Sequence, residues 1–373
     1  MPVGLIVFSW NKRIGAEVFA KYPEEFQVSS DTLMRIFSTH AFEESGGFLS
    51  MIIGALNIAS YYSGPEKGYY VSLFLSLEED PDLYEDAVLD AANLILSNQD
   101  MEQVKPLIPS IYARIAFYPK LTDEQKTATA LTDRAKQIIL ETLDEDGSST
   151  KGELTSLLKD ILKLEYIDIN AALNSLIKLG LIKVSSVKGL PTEGVFLIGN
   201  VFVTRIPPVT AMRRLKQLDL PAEVENDYLT EIKNFFQQYK PSPSDNERIL
   251  NIIIDPDTYT VLNLLRLAPV TQQGLNKVKN QVKDLNLALK KLWDADLLRI
   301  LKNKKGEEFY LLKSDIRVQK YFPEYIINTI RTNYNQKTKP SPVLTEHLKL
   351  LRDTYLSLPE EFTSYKPPIT EES

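Results

Sequence analysis

Residues 168–184 read DINAALNSLIKLGLIKV, residues 284–300 read DLNLALKKLWDADLLRI, and the two stretches align without a gap. Asp168/Asp284, Asn170/Asn286, Ala172/Ala288, Leu173/Leu289, Leu176/Leu292 and Leu181/Leu297 are identical pairs. Each stretch opens on an aspartate able to cap a helix, continues with apolar residues three and four apart, and ends in a strand-like apolar run. The flanking sequence repeats the same succession. Upstream of the first stretch, Ala135, Ile138, Ile139 and Leu143 mark one helix, and Gly147-Ser148-Ser149 breaks it. Thr150-x-x-Glu153 then has the spacing of a capping box opening a second helix with Leu154, Leu157 and Leu158. Gly180 ends the third helix, and residues 181–187 and 194–205 read as two strands. Around the second stretch, residues 259–267 and 271–279 supply two helices. Residues 297–302 and 307–312 supply two strands about the turn Asn303-Lys304-Lys305-Gly306.

Three helices followed by a β-hairpin, twice over, resembles the winged-helix order. The expected copies span 130–206 and 245–338. A helical connector over 207–244 joins them, closed by Pro241-Ser242-Pro243-Ser244. Residues 118–132 look like a linker, because they are polar and carry Pro119. The remainder, 339–373, reads as a terminal helix over 344–358 followed by a polar, proline-rich tail.

The N-terminal third has a different pattern. Residues 4–10 (GLIVFSW) and 14–22 read as a hairpin about Asn11-Lys12-Arg13. Ser29-Ser30-Asp31 can cap a helix that places Leu33, Ile36, Phe37 and His40 on one face. Strand-like runs follow at 48–53, 57–62 and 69–77. An acidic helix opens at Pro81 and runs to about residue 99, with Tyr84, Ala87, Val88, Ala91, Leu94 and Ile95 as its apolar stripe. A last helix, starting near Pro106, presents Leu107, Ile108, Ile111, Tyr112 and Ile115. The fold class is therefore α+β: a five-stranded antiparallel sheet with helices, then two helix-rich repeats.

The order ββα-βββ-αα over residues 1–118 resembles the longin domain, a relative of the roadblock fold. A longin-like domain followed by tandem winged helices is similar to the nitrogen-permease-regulator-like (Nprl-type) subunits that regulate Rag-family GTPases. The tandem winged helices alone are also similar to ESCRT-II subunits. The resemblance implies a non-catalytic regulatory or scaffolding subunit. It would bind a small Ras-like GTPase or another longin/roadblock protein, as a homo- or heterodimer, with the winged helices as docking modules. The contact surfaces it suggests are the sheet edges and the acidic helix, with Glu85, Asp86 and Asp90 on its polar face. Arg13, in the first hairpin turn, could assist a bound GTPase as arginine fingers do. An ordinary exposed turn residue is the plainer reading.

Composition narrows the chemistry. The chain has 373 residues, no cysteine and two histidines, His40 and His347. Disulfides, thiolate catalysis and sulfur-based zinc sites are thereby excluded. Residues 47–63 are too interrupted by Ser50, Gly54, Asn57 and Ser60 to span a membrane, and the chain opens on a strand, not a signal peptide. A cytoplasmic protein without cofactor or metal is the expectation. No phosphate-binding loop, dinucleotide fingerprint or nucleophile elbow occurs. The carboxylate runs Glu78-Glu79-Asp80 and 141–146 read as helix-start and turn chemistry. His40 reads as a core histidine, and the Tyr61-Tyr62 and Tyr69-Tyr70 pairs as cross-strand packing.

Charge is unevenly spread. Residues 1–100 carry five basic against fifteen acidic side chains, whereas 271–340 carry fifteen basic against seven acidic. The second copy thus offers an alternative: a DNA-binding regulator contacting phosphates through Lys277, Lys279, Lys290, Lys291, Lys304 and Lys305. Against it, no arginine falls on the third helix, where guanine readout would favour one.

Overall fold

The computed structural model describes residues 2–11, 13–42, 46–96, 104–163 and 168–358. Lys12, the expected end of the acidic helix at 97–99 and the tail from residue 359 lie outside these. No described helix is long and apolar enough to cross a membrane. The chain divides into two compact units, Met1–Leu121 with Thr150–Lys178, and Thr122–Ser149 with Leu179–Ser373.

The first unit begins with β1 (Gly4–Asn11), β2 (Gly15–Tyr22), α1 (Ser30–Ala41), β3 (Gly47–Ile53), β4 (Leu56–Tyr62) and β5 (Tyr69–Ser76). A short 3-10 turn over Pro81–Tyr84 leads into α2 (Glu85–Leu96), and α3 (Ile108–Phe117) follows. The strands form one antiparallel sheet in the order β2-β1-β5-β4-β3. Alternation along each strand divides its side chains between two cores. Leu5, Val7, Val71, Leu73 and Leu75 pack with α2 and α3, whereas Ile6, Phe8, Tyr70 and Phe74 pack with Leu33 and Ile36 of α1.

The serine cap of α1 forms as expected, Ser29 Oγ accepting from the Thr32 N–H at 3.1 Å. His40 lies buried on the inner face of α1. Its Nε2 is 2.9 Å from Ser60 Oγ, which is 2.8 Å from Ser72 Oγ. Burial lowers its pKa to about 4, so the ring stays neutral near pH 7.

The rest of the chain is built from two copies of one series of elements. The first copy comprises α4 (Asp123–Thr132), α5 (Arg134–Asp146), β6 (Ser148–Thr150), α6 (Lys151–Leu162), α7 (Ile169–Lys178), β7 (Ile182–Ser185), β8 (Gly194–Leu197) and β9 (Asn200–Ile206). After a connector of α8 (Val209–Arg214) and α9 (Ala222–Gln238), the series returns. It comprises α10 (Pro243–Ile254), α11 (Pro256–Leu267), β10 (Val270–Thr271), α12 (Gln272–Asn276), α13 (Leu285–Asp294), β11 (Leu298–Lys302), β12 (Glu308–Leu312) and β13 (Asp315–Tyr321). Helices α14 (Ile326–Gln336) and α15 (Ser341–Ser357) end the described chain. The two small sheets share one strand order, β6-β8-β7 and β10-β12-β11.

The equivalence reaches single caps and single backbone angles. Asp133 and Asp255 cap α5 and α11, and Asp168 and Asp284 cap α7 and α13. The residue twelve after each of the latter caps takes a positive φ, +70° at Gly180 and +58° at Asp296. Glycine is the usual residue there, and aspartate is among the few others that tolerate the left-handed region.

Three expectations are corrected. The polar stretch read as a linker contains α4, opened by a capping box between Thr122 and Gln125. Its Ala128 and Ala130 are small enough to let α4 pack closely on α10, and Gln125 Nε2 donates to Ile253 O at 3.2 Å. The stretch 194–205, read as one strand, is two. Ile198 and Gly199 both donate to Leu181 O and turn the chain, and a Cβ at Gly199 would sit 2.6 Å from Gly180 O. The helix expected over 271–279 is only Gln272–Asn276.

The outermost elements of the two copies meet each other within the second unit. Strand β9 pairs antiparallel with β13, from Asn200↔Tyr321 to Ile206↔Asp315, with Val203 opposite Val318. Two arginines fasten these ends through three carboxylates. Arg205 of β9 donates to both oxygens of Asp245 on α10, at 2.9 and 2.7 Å, and to Ser314 Oγ at 3.0 Å. Burial alone would raise the Asp245 pKa, but Arg205, Tyr239 and Arg248 together hold it below the ordinary value of 3.8. Arg266 of α11 grips Glu124 of α4 at 2.8 and 3.0 Å and Asp315 of β13 at 2.7 Å.

Candidate partner-binding faces

The acidic helix α2 has its polar face engaged inside its own unit. Ala87, Val88, Leu89, Ala91, Ala92, Ile95 and Leu96 are all buried, a wider arc than one sheet-facing stripe requires. Leu94, expected in the stripe, is instead 39% exposed. The extra burial comes from α7, which packs against α2 and adds Ala171 to the same core. Lys178 Nζ donates to Glu85 Oε2 at 2.6 Å and to Asp86 Oδ1 at 3.3 Å. Burial works against the Lys178 ammonium, yet the bonds and charges of Glu85 and Asp86 outweigh it and raise its pKa. Asp168, the cap of α7, gives one oxygen to the Ala171 N–H and the other to the Tyr61 hydroxyl of β4, at 2.5 Å. Asp90 is half-buried, and its charge adds to burial and to Asp86 in raising the Tyr118 pKa. Glu85 and Asp86 therefore serve an internal helix–helix contact.

Helix α13 is the counterpart of α7, and its surroundings differ. Only Leu285, Ala288 and Leu292 are fully buried, one stripe facing α11. The position matching Ala171 is Leu287, 48% exposed, and the position matching Ser175 is Lys291. Lys277, Lys279, Lys283 and Lys290 are exposed. Lys291 reaches the cap Asp255, so part of its charge is satisfied locally. Trp293, also 48% exposed, lies seven residues from Asn286 and three from Lys290, which puts all three on one side of the helix.

The hairpin β11–β12 is a poorer nucleic-acid surface than its composition suggested. The connector helix α9 lies over it, packing Tyr228 and Ile232 with Leu301 and Leu311. Carboxylates of the connector meet its basic side chains. Glu231 lies 3.2 Å from Arg299 and 3.0 Å from Lys313, and Asp219 lies 3.5 Å from Lys304. Of the lysines named on that turn, Lys305 is exposed and Lys304 faces an acid. The sequence could not show this, because Glu231 is 68 residues from Arg299 and Asp219 is 85 from Lys304.

Most of the remaining candidates are engaged in bonds within the chain. Arg13 is exposed in the β1–β2 turn, where its N–H donates to Asn11 Oδ1 at 2.9 Å. Asp80 Oδ1 accepts from the Asp82 N–H at 3.0 Å, and Glu79 accepts from the Tyr84 hydroxyl at 2.7 Å. Asp144 accepts from Asn200 at 2.7 Å and from the Tyr325 hydroxyl. His347 is buried, its Nε2–H donating to Leu197 O at 2.8 Å. Among the described residues, no group of three or more histidine, aspartate or glutamate side chains is placed to hold a metal ion. No known family model, curated protein or solved structure matches the chain.

Proposed function

We propose that the protein is a non-catalytic regulatory or scaffolding subunit, with a longin-type domain over residues 1–118 and two winged-helix copies that dock protein. The observation that carries this reading is the packing of α7 on α2. In a nucleic-acid reader the third helix of a winged helix must reach a groove. Here that helix is spent on another helix through an apolar seam and a Lys178–Glu85–Asp86 cluster. The acidic helix α9 lying along the β11–β12 hairpin supports the same view of the second copy.

The partner we propose is a small Ras-like GTPase or a second longin/roadblock protein. With Glu85 and Asp86 occupied, the outer strand β2 becomes the favoured contact. It is one edge of the sheet, Val18 is 44% exposed, and Ile14 beside it is 73% exposed. An edge strand offers unpaired backbone groups to a partner's strand. The test titrates the full chain against purified Ras-like GTPases, in both nucleotide states, and against longin/roadblock proteins. Binding should weaken at least about tenfold in an Ile14→Asp, Val18→Asp variant, as loss of a central contact does. Failure of every such partner to bind would overturn the reading. Binding that ignores the substitutions would remove the edge.

A further inference from the structure

We propose that the exposed face of α13 is a docking surface for an acidic amphipathic helix of a partner protein. The inference rests on reading the second copy as a protein-docking module, and adds where and what it docks. Helix α7 shows within this chain what a third helix of this type can hold. Its outer side, Ala171, Ser175 and Lys178, takes α2, a helix with an apolar seam and adjacent carboxylates at Glu85 and Asp86. The corresponding outer side of α13 begins at Leu287 and continues through Lys290 and Lys291 to Asp294. Leu287 and Trp293 stand on either side of Lys290, each 48% exposed. One turn earlier Lys283 is exposed, and Lys277 and Lys279 are exposed on the preceding segment.

That face pairs two large apolar side chains with lysines at helical spacing. Its complement is a helix that carries an apolar stripe flanked by glutamates or aspartates, because carboxylates about two turns apart would meet Lys283 and Lys290. Where α7 uses small residues to let α2 approach closely, Leu287 projects. The incoming helix must offer a small residue or a groove opposite it. Duplex DNA is the competing occupant, and its phosphates would find the lysines but not a use for Leu287 and Trp293.

The chain has two tryptophans, Trp10 and Trp293, so a Trp10→Phe version of the full-length protein reports on α13 alone. Its emission is titrated with a stapled helical peptide bearing a leucine stripe flanked by glutamates. The same peptide with lysines for glutamates, and a DNA duplex, are the comparison probes. The expected result is a saturable blue shift with the glutamate peptide only. Leu287→Glu with Lys290→Glu, both at exposed positions, should weaken that binding at least about tenfold. No saturable shift with the glutamate peptide, an equal shift in the double variant, or preference for the duplex would each overturn the proposal. GTPase binding through β2 is measured on the same double variant. It should be unchanged, so a failure here is told apart from a failure of the functional reading.

Discussion

Helices α7 and α13 share a cap and an apolar stripe and end in different surroundings. Both start from an aspartate cap and bury equivalent residues, Ala172 with Leu176 and Ala288 with Leu292. Away from that shared seam they part. Ala171 is 4% exposed under α2, whereas Leu287, at the matching position, is 48% exposed. The identical alanine and leucine pairs thus describe the inward face, which every copy must bury, and the identical aspartates cap the helices. The differing residues describe what each outer face meets. Small residues permit a helix to close on α7, and a leucine among lysines leaves α13 open to a partner.

The comparison can be pushed hardest at the place where the two copies are tied together. The Arg205 side chain is 2% exposed and bidentate to Asp245. Replacing Asp245 with alanine leaves that guanidinium buried without a counter-charge. The second unit should lose about 3–5 kcal/mol, read as a lower urea midpoint for its transition. The first unit, which contains α7, should keep its own transition. Loss of both together would mean that the copies cannot be compared as parts of separate units.

A smaller effect sharpens the contrast between the helices themselves. Ala171→Leu inserts into the seam beneath α2 and should destabilise the first unit by about 1–3 kcal/mol. Leu287→Ala, the reciprocal change, removes an exposed side chain and should stay within about 0.5 kcal/mol. Thermal unfolding of the two variants checks both values, and similar costs would erase the distinction.

Much of this organisation was legible in the sequence. Strand-like runs located all five strands of the first sheet, and Ser29, Thr150, Asp168 and Asp284 located helix starts through one bonding rule. What escaped is tertiary. The pairing of β9 with β13 joins stretches over a hundred residues apart, and neither strand alternates strongly enough to announce a partner. Helix α4 was hidden because its DEQKTATALT composition is polar, and its burial relies on alanine and threonine packing against α10. Thr122-x-x-Gln125 was the available signal. The candidate site suffered in the same way. Glu85 and Asp86 stand on the polar face of α2 as expected, yet charge on a helix face cannot say whether solvent, a partner or Lys178 will meet it.

One third helix is covered from within the chain and the other is open. Because the native chain has no cysteine, a single introduced thiol reports one position only. Ala171→Cys and Leu287→Cys, each in the full-length protein, would be labelled with a maleimide under native conditions. The Leu287→Cys thiol should react at nearly the rate of a free thiol. The Ala171→Cys thiol should react at least about a hundredfold more slowly, limited by local opening. Equal rates at the two positions would contradict the account.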